Sequence, residues 1–295
     1  MARVLTVLLL ATMVPGGTYQ GFSVSTYGVL ENWSSGTPPG EVFGRVSGVA
    51  FDHRNHVLVY RRDGANIWTF DQDGRFQKAW GAKGAKRTHG IRVDSRGFVW
   101  TTDDQGHQVK KWSADGNVVL TLGVYERPGD GPDTFDGPTD VAVAANDEIF
   151  VADGYGNSRI AKFTPTGRFV KAWGSKGSAP GELNLPHGIV IDSRGRVLVA
   201  DRENQRVQIF DQDGRFLDEW KNLGEPVALD IRDDVLYVAD ADSPRVLLAS
   251  LQNGRVIATI DTAAGDQHSL AVDLTRKVYV GSVRGQYLKV YSPTK

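Results

Sequence analysis

A strand-like run, usually ending in Asp, recurs six times along the chain. The runs start at Ser47, His89, Thr139, His187, Glu225 and His268, so successive starts lie 42, 50, 48, 38 and 43 residues apart. A period of that size is the length of one four-stranded propeller blade. Such units cannot bury their apolar faces alone and must pack on their neighbours, which leaves few architectures open.

The best-preserved unit has four short runs: Val141-Ala-Val-Ala, Glu148-Ile-Phe-Val-Ala-Asp153, Ser158-Arg-Ile-Ala-Lys-Phe163 and Arg168-Phe-Val-Lys-Ala-Trp173. Each is rich in β-branched and aromatic residues and bounded by Gly, Asn, Asp or Pro, as strands are. The next unit repeats the order, from Ile189 to Trp220, and no helical periodicity is sustained after residue 20. The last unit has only three runs. A fourth stands at the other end of the chain, Tyr27-Gly-Val-Leu-Glu-Asn-Trp33, and resembles the outer strands Phe76 to Trp80 and Phe169 to Trp173. The expected fold is all-β, a six-bladed β-propeller over residues 19–295, closed by that N-terminal strand. Closure of this kind removes the exposed edges that invite aggregation.

Charge and composition narrow the partners. The net charge is −1 and the isoelectric point about 6.6, with no basic field, which excludes nucleic acid as a partner. Residues 1–18 read as a signal peptide: Arg3 opens them, and the apolar run that follows is shorter than the ~20 residues a membrane span needs. Export to a periplasmic or extracellular compartment is expected, with no stable membrane insertion of the mature chain, which should act as a monomer. There is no cysteine, so no disulfide and no lipid attachment at cysteine can form.

Three of the six repeat starts are histidines, and they alternate: Ser, His, Thr, His, Glu, His. In a ring of six, alternate units lie about 120° apart, so His89, His187 and His268 would meet at the axis. A structural role gives no reason for this alternation. A metal does, because three imidazoles with an open fourth place are the ligand set of a catalytic zinc. His53, His56 and His107 lack the phase and read as surface turn residues. Two more residues stand out against the repeat. Tyr155 lies in the Gly-flanked turn Asp153-Gly-Tyr-Gly-Asn157, and Arg202 occupies nearly the same point in the next unit. Tyr155 suits turn packing or a proton acceptor beside a metal. Arg202 suits a surface ion pair or a bidentate grip on a carboxylate. Arg61 or Arg62, after the second run of the first unit, is the equivalent position and a second candidate cation. The Asp/Arg pairs Asp153 and Arg159, Asp201 and Arg206, and Asp240 and Arg245 match the NHL repeat signature and read as turn structure.

From about Gly44 onward the chain resembles the peptidyl-α-hydroxyglycine α-amidating lyase family. The resemblance rests on Thr88-His-Gly-Ile, Gly137-Pro-Thr-Asp-Val-Ala-Val143, Val151-Ala-Asp-Gly-Tyr-Gly-Asn-Ser-Arg-Ile160, Leu185-Pro-His-Gly188 and Val199-Ala-Asp-Arg-Glu-Asn204. It implies zinc held by His89, His187 and His268, a catalytic Tyr155, and substrate-binding Arg202 and Arg62. It also implies a structural calcium bound partly through the carbonyls of Val49 and Ile91. Three positions depart from the family pattern. Asp266 replaces a Met two residues before the third histidine, Ser269 replaces an acidic calcium ligand, and Gly156 replaces a Cys. Ser269 weighs against calcium, and Asp266 would alter the charge of the zinc site. The implied activity is cleavage of a carbinolamide C–N bond in a small peptide substrate, giving a peptide amide and glyoxylate. A zinc lyase or hydrolase with another substrate, and a non-catalytic NHL propeller that binds a protein or glycan, are the alternatives.

Overall fold

A computed structural model describes residues 26–294 apart from 32, 34, 35, 39, 65, 82, 83 and 263–265. The leader-like segment 1–18 lies outside the described residues. Six four-stranded antiparallel sheets form the blades, at residues 46–80, 88–122, 138–173, 186–220, 226–261 and 269–293. The first strands of neighbouring blades touch one another in a closed circuit, so they line the axis. Among the described residues no helix is long and apolar enough to cross a membrane.

Burial follows the strand order. In blade 3 the second and third strands, Ile149–Asp153 and Arg159–Phe163, are wholly buried, whereas the outer strand Phe169–Trp173 is not. Six apolar clusters fill the six interfaces between blades. The period of two along a strand feeds both sides. Val57 and Val59 face blade 6, whereas Leu58 and Tyr60 between them face blade 2. The Asp that ends several first strands shapes the turn behind it. Asp94 accepts the N–H groups of Arg96 and Phe98, each at 3.0 Å, and Asp192 accepts those of Arg194 and Arg196 at 3.0 and 2.9 Å. The NHL pairs are structural as expected, with Arg159–Asp153 at 3.0 Å, Arg206–Asp201 at 2.7 Å and Arg245–Asp240 at 2.8 Å.

The N-terminal strand does close the sixth blade. Tyr27 pairs with Pro293, Gly28 with Ser292 and Val29 with Tyr291. It is shorter than the run to Trp33 suggested. Trp33 leaves the sheet and becomes a plug instead, edge-on to Tyr279 at 5.2 Å and tilted against Phe70 at 5.7 Å. It thereby joins blade 6 to blade 1. Deleting residues 1–33 removes both the strand and the plug. The melting temperature should fall by on the order of 10 °C, from the loss of one buried Trp and an edge strand. Calorimetry on the truncated chain checks this, and an unchanged transition would refute the closure.

Candidate metal centre

In the first five blades the first-strand ladder slips register at one place: between Val46 and Gly48, Thr88 and Ile91, Pro138 and Asp140, Pro186 and Ile189, and Pro226 and Ala228. Such a bulge breaks the side-chain alternation and re-aims a residue. The residues at the slip are Ser47, His89, Thr139, His187 and Val227, and His268 precedes the paired stretch of blade 6. The fifth repeat position is therefore Val227 rather than Glu225. Pro226 matches Pro138 and Pro186 before the slip, but Asp230 hides the homology by eye, because the strand runs on two residues beyond it to Arg232. Gly90, beside His89, is needed for close approach: a Cβ there would lie 2.7 Å from the carbonyl oxygen of Thr139.

The three histidines converge. Ring centroids lie 4.7 Å apart for His89 and His187, 4.6 Å for His89 and His268, and 5.2 Å for His187 and His268. One ligand atom from each lies within 4.8 Å of the others. The tautomers follow from the partners. Nδ1 of His89 meets the carbonyl of Thr139 at 2.7 Å, Nδ1 of His187 that of Val227 at 2.7 Å, and Nδ1 of His268 that of Ser47 at 3.0 Å. A carbonyl only accepts, so each Nδ1 carries the proton and each Nε2 presents a lone pair. The carbonyls come from the slip residues of blades 3, 5 and 1, the counterparts of the positions that hold histidine in blades 2, 4 and 6. Burial is the main cause that pushes the His89 and His187 pKa values well below the usual range and that of His268 to about 3. Three neutral imidazoles with converging lone pairs, each fixed by an outer hydrogen bond, fit a transition-metal ion.

Tyr155 covers this cluster. Its hydroxyl lies 3.0 Å from Nε2 of His89 and 3.4 Å from Nε2 of His187. The turn is held by Tyr155 N–H to the carbonyl of Gly137 at 3.2 Å. Burial raises the phenol pKa and the Asp104 carboxylate adds to this, while Arg62, Arg87 and Arg202 act the other way. Arg62 reaches the cluster through Nη2, 3.3 Å from His268 Nε2, and donates through Nε to the Thr88 carbonyl at 3.2 Å. Arg61 turns outward, donating to the Phe43 carbonyl at 2.7 Å and stacking 3.6 Å over Trp68. Arg62 is thus the residue at the mouth. Arg202 follows blade 4's second strand in a short 3-10 turn, Arg202–Asn204, and its Nε meets Glu225 at 2.6 Å.

Two residues at the mouth escaped sequence reasoning. The Arg87 guanidinium lies 5.3 Å from the Tyr155 ring centroid, and its Nε meets the fully buried carboxylate of Asp104 at 2.7 and 2.8 Å. The available signal was position: Arg87 stands two residues before His89, as Glu225 does before Val227. Asp266 holds the same place before His268, yet its carboxylate is turned away from the metal ligands. It accepts from the Ser282 hydroxyl at 3.1 Å and the Arg284 N–H at 2.9 Å. The expected change in charge at the zinc site therefore has no structural basis. His107 is not a surface residue. Its side chain is 16% exposed, and Nδ1 accepts the Gly137 N–H at 3.2 Å beneath the Tyr155 turn.

Calcium does not fit. Val49 and Ile91 do border the axial cavity beside the histidines, but the carboxylate that lines it, Asp140, is already gripped by Arg92. Ser269 brings no carboxylate, and the Arg92 guanidinium already lines the space.

Comparison with known proteins agrees with this architecture. The NHL repeat model matches residues 135–163 and 183–210. The chain is 35% identical to NHL repeat-containing protein 3 of Mus musculus, over 83% of this chain and 78% of that protein. It is 31% identical to peptidyl-glycine alpha-amidating monooxygenase B of Xenopus laevis over 85% of this chain, but spans only 34% of that longer protein. Against peptidyl-alpha-hydroxyglycine alpha-amidating lyase 1 of Drosophila melanogaster the identity is 34%, over 61% of this chain and 40% of the relative. Among solved structures, a streptogramin B lyase superposes with a TM-score of 0.64 at 16% identity, over 91% of this chain and 87% of that one. A gluconolactonase from Xanthomonas campestris gives 0.67 at 15%, over 86% and 88%. At such identities these two share the fold alone.

Proposed function

The chain belongs to the NHL-repeat β-propeller family that takes in NHL repeat-containing protein 3 and the peptidyl-α-hydroxyglycine α-amidating lyases, and from that premise we propose that it is a zinc-dependent lyase acting on a peptidyl carbinolamide. One observation carries the proposal. Three proton-free Nε2 atoms converge under a tyrosine hydroxyl that stands 3.0 Å from one of them and 3.4 Å from another. His89, His187 and His268 would hold the zinc. When bound, it supplies a Lewis acid toward a substrate oxygen and lowers the pKa of a hydroxyl beside it.

The other tasks fall to side chains. The substrate carries a hydroxyl and a carboxylate on the carbon whose bond to the amide nitrogen breaks. Tyr155, as phenolate, takes the hydroxyl proton. The C–O electrons close a C=O bond, the C–N bond breaks, and the nitrogen leaves with its electron pair. The proton goes back from Tyr155 to that nitrogen, so the products are an amide and glyoxylate. Burial of Tyr155 opposes the phenolate, and the three nearby guanidinium groups favour it. Arg62 makes no ion pair with a carboxylate among the described residues, so its charge is available to the substrate carboxylate. Arg202, steered by Glu225 through Nε, offers its remaining N–H groups to the same carboxylate. Residues 1–18 are proposed to direct export.

The test is direct. Purified protein incubated with a peptidyl-α-hydroxyglycine should release equimolar glyoxylate and peptide amide, with loss on chelation and return on adding zinc. The 78% coverage of NHL repeat-containing protein 3, whose name assigns no reaction, favours a second reading, a binding propeller. Absence of glyoxylate above the uncatalysed blank, together with no stoichiometric metal, would favour that alternative.

A further inference from the structure

Arg92 lies on the first strand of blade 2, Thr88–Val93, three residues past His89. Ile91 turns into the core between blades 1 and 2. The pleat therefore sends Arg92 the opposite way, towards blade 3 and the axis. Its guanidinium grips Asp140 of blade 3 in bidentate fashion, Nε to Oδ1 at 3.0 Å and Nη2 to Oδ2 at 2.6 Å. Nη2 also crosses the axis to the Leu229 carbonyl of blade 5 at 3.0 Å. Asp140 accepts the Ile189 N–H of blade 4 at 3.1 Å. Next to Leu229, Asp230 accepts the Val272 N–H of blade 6 at 2.7 Å. Arg232 completes that seam by donating to the Val272 carbonyl at 2.9 Å. Two guanidinium groups, with Arg92 at the axis and Arg232 at the seam, thus anchor a polar network that reaches blades 2 to 6 beside the histidines.

We propose that the Arg92 guanidinium is the resident axial cation of this ring, lining the same cavity as Val49, Ile91 and Ser269, so that the propeller closes without calcium. The charge count supports this. The network sets two carboxylates, buried Asp140 and half-buried Asp230, against two guanidinium groups, Arg92 and Arg232, so it is already neutral without a divalent ion. Guanidinium also matches a carboxylate and a carbonyl by shape, whereas calcium asks for six to eight oxygens. The inference does not depend on the proposed reaction.

Thermal unfolding and elemental analysis test it, on protein dialysed into calcium-free buffer that contains zinc. The wild-type chain should hold no stoichiometric calcium, and added millimolar calcium should leave its melting temperature unchanged. Arg92→Ala leaves the Asp140 carboxylate and the Leu229 carbonyl without their cation. Its melting temperature should fall by roughly 5–15 °C, since breaking a buried ion pair strands a charge. Calcium should then recover part of that loss. Arg92→Lys keeps the charge but not the fork. It should melt between the other two and remain indifferent to calcium, which keeps the test open if Arg92→Ala does not fold. Any of three results would overturn the proposal: stoichiometric calcium in the wild type, an Arg92→Ala melt equal to wild type, or no calcium response in a folded Arg92→Ala.

Discussion

Tyr155→Phe is expected to lower glyoxylate release by ~10²–10⁴-fold, the usual cost of removing a general base. The metal content should not change. The variant loses only the hydroxyl 3.0 Å from His89 and 3.4 Å from His187. The ring keeps its contact with the Arg87 guanidinium, and the turn keeps the backbone bond to Gly137. The imidazoles are oriented through Nδ1 by Thr139, Val227 and Ser47, none of which Tyr155 touches through its hydroxyl. Activity and metal binding are therefore separable at this position. Steady-state assay of glyoxylate beside elemental analysis of the same sample makes the check. Near wild-type turnover would make Tyr155 a packing residue and sink the proposed proton transfer.

His89→Ala, His187→Ala and His268→Ala should each abolish stoichiometric zinc. Loss of an outer hydrogen-bond partner alone typically weakens a metal site by ~10–100-fold, and loss of a ligand from a set of three should exceed that. His107→Ala is the control. It removes the acceptor for the Gly137 N–H but no Nε2 from the cluster, so zinc should stay at one per chain. Elemental analysis after dialysis against a weak chelator measures all four. Equal zinc in the four variants would place the ion elsewhere.

The two readouts sort the alternatives. Zinc with no lyase activity would indicate the same metal site with a different substrate. Lyase activity without dependence on Arg62 or Arg202 would leave the carboxylate grip unsupported. Asp266 is a poor suspect in either case, because Ser282 and Arg284 already hold its carboxylate.

Periodicity and residue type were enough for the ring, its closure and the histidine triad. The repeat length sets one blade, the alternation of histidine with other residues selects every second blade, and symmetry brings the three together. None of that needs coordinates, because a closed ring of near-identical units converts sequence phase directly into angle. What tertiary structure alone decided lies between units and off the repeat. The fifth phase position falls on Val227 because the blade 5 ladder runs two residues past Asp230, to Arg232 paired with Val235, so the Asp that the eye takes as the strand end lies inside the strand. Arg61 ends the second strand of blade 1 and packs over Trp68, whereas Arg62 lies in the turn just beyond it and reaches the site, and only the observed end of the strand says which. Arg87, Asp104 and the Arg92 network couple blades far apart in the chain, from position 92 to position 229 in one hydrogen bond. Long, flexible charged side chains find their partners by the geometry of packing, and a one-dimensional pattern carries no record of which carboxylate or carbonyl lies within their reach.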